Sequence, residues 1–136
     1  MPRTLTEQDL RLIRLVEQRT GAVIKDCIIS EDTVALIVLD GVEKAIGQQG
    51  RNVRELERIL KKRVRLIQWN DEMEQFVKNA FAPGEIASIK EKEGVLILEA
   101  PTYQARGLLI GRSAQTLRTN EAILKRYFPI QQVRVL

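Results

Sequence analysis

Histidine is absent from this chain of 136 residues, and cysteine occurs once, at Cys27. The first absence removes the commonest general base and the commonest metal ligand. The second excludes an internal disulfide framework and a cysteine-based zinc cluster. Aromatic residues make up only 4% of the sequence, too few for recognition built mainly on stacking platforms. No apolar run approaches the ~20 residues needed to cross a bilayer, and the longest, residues 34–39, has the length of a strand. The opening segment MPRTLTEQDLRL has no apolar signal core, so the expected location is the cytoplasm and no membrane partner is expected. Neither a G-x-x-x-x-G-K-[ST] loop nor a histidine-based constellation is present, so no catalytic residue, metal ligand or cofactor is assigned.

What is present is the composition of a folded protein, with 44% hydrophobic and 29% charged residues. The length suits one ordinary domain or two very small ones. The net charge of +4 is unevenly spread. Residues 51–65 hold seven bases (Arg51, Arg54, Arg58, Lys61, Lys62, Arg63, Arg65) against Glu55 and Glu57. Residues 71–100 hold seven acids against three bases, and residues 101–136 six bases against Glu121 alone. Two basic blocks around an acidic stretch point to two similar surfaces facing an anion, with solvated helix faces as the plainer reading.

The chain repeats itself. IGQQGRNVRELERILKK from Ile46 aligns without a gap, at a shift of 64, with IGRSAQTLRTNEAILKR from Ile110. Each segment follows a strand-like apolar run, VALIVLD or VLILEA, and precedes a short β-rich one, VRLIQW or IQQVRVL. Such an ordered match across three elements is the mark of a duplication.

Each copy predicts the order αββααβ. In the first, Thr6 caps a helix over 7–20, with Leu10, Ile13, Val16 and Glu17 on its inner face and Gly21 as terminator. Strands are predicted over 23–29 and 33–39, a short helix over 42–46, a longer one over about 51–62 and a third strand over 64–69. The long helix has one apolar stripe, Val53, Leu56, Ile59 and Leu60. In the second copy helices are predicted over about 71–80 and 114–127, with strands over 85–90 and 95–99. The turn between those strands falls at 91–94, Pro101 sits in the first turn of the short helix, and a last strand follows Pro129. The predicted fold is α+β: two domains, 1–70 and 71–136, each with helices on one face of a small three-stranded sheet.

The informative feature lies between the two later helices of each copy. Gly47-Gln48-Gln49-Gly50 leads directly into Arg51, Asn52 and Arg54. Glycines there permit positive φ and the close approach of another backbone. The first amides of the following helix lack partners inside it, and its dipole favours anions. A phosphodiester could lie against such a loop with its bases splayed, which is how a single strand is held without reading a duplex groove. A lone pair of glycines at this spacing usually marks only a turn. The basic helix, the element order and the repetition are what raise the reading.

The segment VEKAIGQQGRNVRELERIL resembles the GxxG segment of a type II KH domain. The tandem pair, with IGRSAQTLR, resembles the KH region of the NusA transcription factors over essentially the whole chain, and most resembles their short archaeal form. That resemblance implies a single-stranded RNA partner, action in transcription termination, antitermination or elongation, and a further partner in RNA polymerase or its transcription complex. It places Ile46, Gly47, Gln48, Gln49, Gly50, Arg51, Asn52, Val53 and Arg54 at the RNA. In the second copy it places Gly111, Arg112, Ser113, Ala114, Gln115 and Arg118 there. Ala114 replaces the fourth glycine, and its methyl should restrict φ; Arg112 can offset this by direct charge contact. The alternative is a KH-fold assembly domain docking on RNA polymerase or a ribosomal particle, since fold alone does not separate the two. A monomer is expected.

Elsewhere the plain readings prevail. Cys27 reads as a small buried hydrophobe, having no histidine to activate it. Trp69 reads as a packing residue ahead of a base-stacking one, and Tyr103, Tyr127 and Phe128 likewise. Asp71, Glu72 and Glu74 read as a solvated helix start, not as cation ligands.

Overall fold

The computed structural model describes residues 4–136, which divide into two compact units, Thr4–Asn70 and Asp71–Leu136. The first contains α1 (Glu7–Thr20), β1 (Val23–Ile29), β2 (Thr33–Asp40), α2 (Val42–Ile46), α3 (Arg51–Leu60) and β3 (Arg63–Gln68). The second contains α4 (Met73–Phe81), β4 (Ser88–Lys92), β5 (Val95–Glu99), α5 (Tyr103–Ile110), α6 (Gln115–Tyr127) and β6 (Gln132–Val135). Each unit is mixed α+β around a three-stranded sheet in sequence order, with the first pair of strands antiparallel and the second parallel. Antiparallel neighbours can be joined by a tight turn. The parallel partner needs a crossover, and α2–α3 and α5–α6 supply it. A single 3-10 turn joins the helices of each crossover, at Gln48–Gly50 and Arg112–Ala114.

Local chemistry explains the ends of these elements. The Thr6 hydroxyl accepts from the Asp9 amide at 3.1 Å, while the Asp9 carboxylate accepts from the Thr6 amide at 2.9 Å. This reciprocal box satisfies two otherwise orphaned donors. Gly21 closes the helix in the left-handed region, φ 81°. Asp9, Leu12, Ile13 and Val16 face inward, and Leu10 is 47% exposed. The inner stripe is thus rotated from the one expected: Leu12, Ile13 and Val16 pack on the core, and Asp9, on the same face, meets Cys27 Sγ at 3.5 Å. Cys27 itself is fully buried. On α3, Leu56 is the buried residue and Ile59 is 38% exposed, so the apolar stripe is narrower than its spacing predicts.

The second unit departs from expectation at its edges. β4 begins at Ser88 and runs through Lys92, so the turn is confined to Glu93 and Gly94, both at positive φ. A two-residue hairpin turn calls for positive φ at both positions, which Gly94 adopts freely and Glu93 at a cost. Pro101 lies ahead of the N-cap of α5; Thr102 caps that helix by accepting from the Ala105 amide at 3.0 Å. Phe76 is fully buried and packs edge-on against Tyr127, ring centroids 5.8 Å apart, and at a tilt against Phe128 at 5.9 Å. Tyr103, expected to pack, is 86% exposed. It occupies the first helical position after the cap, where the side chain clears the core.

One pairing recurs in both units. Glu57 on α3 accepts from the Val64 amide at 3.0 Å, and Glu121 on α6 accepts from the Val133 amide at 2.7 Å. Val64 and Val133 stand at matching positions of β3 and β6, opposite Val34 and Leu96. Glu57 and Glu121 are 64 apart, but Val64 and Val133 are not. α6 is longer, 13 residues against 10, and the chain after it takes a longer path to the strand. The carboxylate holds its strand in register across that difference.

Candidate nucleic-acid interface

The segments 47–50 and 111–114 have matching backbones. Gly47 and Gly111 lie at φ/ψ of 77°/171° and 75°/174°. Gln49 and Ser113 both lie at 53°/32°. Gly50 is at 74°/17° and Ala114 at 59°/22°. The first glycine is required sterically: a Cβ on Gly47 would lie 2.9 Å from the Asn52 nitrogen, and one on Gly111 2.2 Å from Thr116 Oγ1. The fourth position is different. Ala114 enters the left-handed region with its methyl in place, at a cost of about 1–2 kcal/mol. The restriction expected of Ala114 is therefore an energy cost and leaves the loop's shape unchanged.

Each loop ends at a helix N-terminus with no side-chain cap and no acidic residue in its first turn. In this α3 and α6 differ from α1, which has both a cap and Glu7 and Asp9 in its first turn. Helix dipoles attract negative charge at this end, and at α3 and α6 the chain supplies none. It supplies cations instead. Arg51, Arg58, Arg112 and Arg118 are exposed, and among the described residues none of them makes an ion pair. Arg65, in the same basic block, is half-buried on β3, and burial pulls its pKa below the ordinary value. Lys62 donates to the Ser30 carbonyl at 2.6 Å.

Not every residue expected at the surface is there. Ile46 is 39% exposed beside the loop, and Gln48, Gln49, Arg112, Ser113 and Gln115 are exposed. Val53 instead packs against the first unit's core. Asn52 spends its side-chain amide on the Lys44 carbonyl, 2.8 Å away, tying α3 to the end of α2. Arg54 folds back, its Nη1 donating to the Gln49 carbonyl. Trp69 is half-buried with the Lys25 ammonium 4.6 Å over its ring, so a cation already occupies one face. Sequence reasoning missed the Glu57 and Glu121 tethers, although the two glutamates coincide in the internal alignment. Among the described residues no cluster of acidic or sulfur ligands could hold a metal, and no helix is long and apolar enough to cross a membrane.

Duplicated α+β units, each presenting a left-handed loop at an uncapped, arginine-flanked helix end, define a class of tandem-repeat α+β proteins. The chain is 34% identical over 135 residues to a probable transcription termination protein NusA of Halococcus morrhuae, covering 97% of both chains. It is 29% identical over 136 residues to the protein of that name from Methanocaldococcus jannaschii, covering 97% of this chain and 74% of that one. The chain belongs to the family of NusA-type transcription termination proteins. The crystal structure of APE1850 has the same fold, with a TM-score of 0.84 at 24% identity over 97% of this chain and all of that one. No protein-family model matches.

Proposed function

We propose that each unit is a type II KH domain and that the pair binds single-stranded RNA as part of a transcription complex. Each loop would grip the sugar–phosphate backbone while the bases splay away. The names of the relatives support the transcriptional setting. One observation carries the RNA reading: both loops deliver an uncapped helix end with no acidic residue in its first turn, flanked by exposed arginines (Arg51, Arg112 and Arg118) that make no ion pair among the described residues. A phosphate satisfies the orphaned amides and the dipole together. With so few aromatics, affinity rests on phosphate contacts and sequence preference on the shape of the groove beside each loop.

The test is a salt titration of binding to a short unstructured oligoribonucleotide. Log affinity should fall linearly with log salt, by about 0.7 for each phosphate neutralised. Replacing Gln48 and Gln49 together by Asp should weaken binding roughly tenfold by placing negative charge at the phosphate position, with the fold intact by circular dichroism. Unchanged affinity in that variant would turn the reading toward an assembly domain docking on RNA polymerase or a ribosomal particle.

A further inference from the structure

We propose that Arg54 is a positioning residue that clamps the first loop into its binding shape, and that Gly50 is bare to let the clamp close. The proposal deepens the RNA reading above and rests on it. Arg54 Nη1 donates to the carbonyl of Gln49, the residue that must hold φ 53° without being a glycine. Left-handed backbone is costly for a side-chain-bearing residue, and a charge-assisted hydrogen bond to its carbonyl offsets that cost. The same bond draws the negative end of the Gln49 carbonyl onto a guanidinium, which removes a dipole that would repel an incoming phosphate.

Gly50 belongs to the same device. A Cβ built there would stand 3.3 Å from Arg54 Nη1, nearer than a side chain usually tolerates. The second unit shows the alternative. Ala114 puts a methyl at that place, and the counterpart of Arg54, Arg118, makes no hydrogen bond or ion pair among the described residues. The equivalent of the second brace is gone as well, since Thr116 stands where Asn52 reaches the Lys44 carbonyl. Glycine with a clamped arginine and alanine with an uncommitted one are thus two settings of one loop. The first loop is preorganised, and its Arg54 is spent on the protein; the second leaves Arg118 for the ligand.

Salt dependence separates the roles. With an unstructured oligoribonucleotide across a KCl series, Arg54→Met should bind roughly tenfold more weakly with its salt slope unchanged. Arg54→Lys should lose nearly as much, because an ammonium on a flexible stem does not reproduce the planar fork. Arg118→Met should lower the slope by about 0.7. A slope that falls by about 0.7 in Arg54→Met, with Arg54→Lys binding like the unmodified chain, overturns the proposal and makes Arg54 a phosphate ligand. A second measurement needs no RNA. In the free protein, the amide signals of Gln49 and Gly50 should shift and exchange faster in Arg54→Met, and the Gln49 amide should exchange faster in Gly50→Ala. Unmoved amides in Arg54→Met, with Gln49 exchange unchanged in Gly50→Ala, overturn the clamp. If the unmodified chain binds no oligoribonucleotide, the RNA reading falls and the proposed role in binding with it; the free-protein amides still report whether the clamp exists.

Discussion

The two units present one loop shape on differently equipped supports. In the first, the loop itself is neutral, Gln48 and Gln49, and the charges sit on the helix behind it at Arg51, Arg54 and Arg58. In the second, the charge has moved into the loop as Arg112, while the positions matching Arg51 and Arg58 are Gln115 and Ala122. Lys44, before the first loop, is matched by Leu108, which is 65% exposed. The backbone angles barely register these exchanges. Shape and charge are therefore separable here. The two crossovers arrive at one shape, braced by Arg54 in the first, and the side chains around it distribute the cations.

The comparison breaks most severely at the first glycine. Gly47→Ala and Gly111→Ala should each cost about 2 kcal/mol of stability, because the new Cβ would meet both the side chain and the main-chain nitrogen of Asn52 or Thr116, and denaturant titration would measure it. A smaller effect, equal in the two units, is expected at the tethers. Glu57→Ala and Glu121→Ala should each cost about 1.5 kcal/mol by leaving the Val64 or Val133 amide without its acceptor, with faster amide exchange at that residue. Unequal values would mean that the longer path before β6 weakens the second tether. Smaller still, and of opposite sign, are the exchanges at the fourth position. Ala114→Gly should stabilise by about 1 kcal/mol and Gly50→Ala destabilise by a similar amount, as read by thermal melting. The slightest effect should be the loop swap. Gln48→Arg should steepen the salt dependence of RNA binding by about 0.7 and Arg112→Gln should flatten it by as much.

Much of the architecture could be read from periodicity and punctuation. The duplication, the six elements of each half, the Thr6 cap and the Gly21 terminator all rest on signals local to the chain. What escaped depends on tertiary context. Leu10 and Leu12 are equally apolar, and the packing of the face that carries Leu12, Ile13 and Val16 against the core decides which one turns inward. Tyr103 is an aromatic that the helix cap carries out into solvent. At the loops, residue type located the glycines and arginines but could not say which arginine was already engaged. Arg54 and Arg118 align, yet one meets a carbonyl and the other does not, and the position beside that contact is bare at Gly50 and carries a methyl at Ala114. Arg65 belongs to the basic block by sequence, while the strand beneath it draws it half out of water.

Ala114 carries a wider lesson about how such modules are counted. Anyone scanning this chain for paired glycines would tally one loop, whereas the dihedral angles describe two. What the two halves share is a set of torsions, and glycine is only the least costly spelling of it. Relatives whose spelling has drifted at both copies would escape a letter-based census altogether while keeping the same bend in the chain.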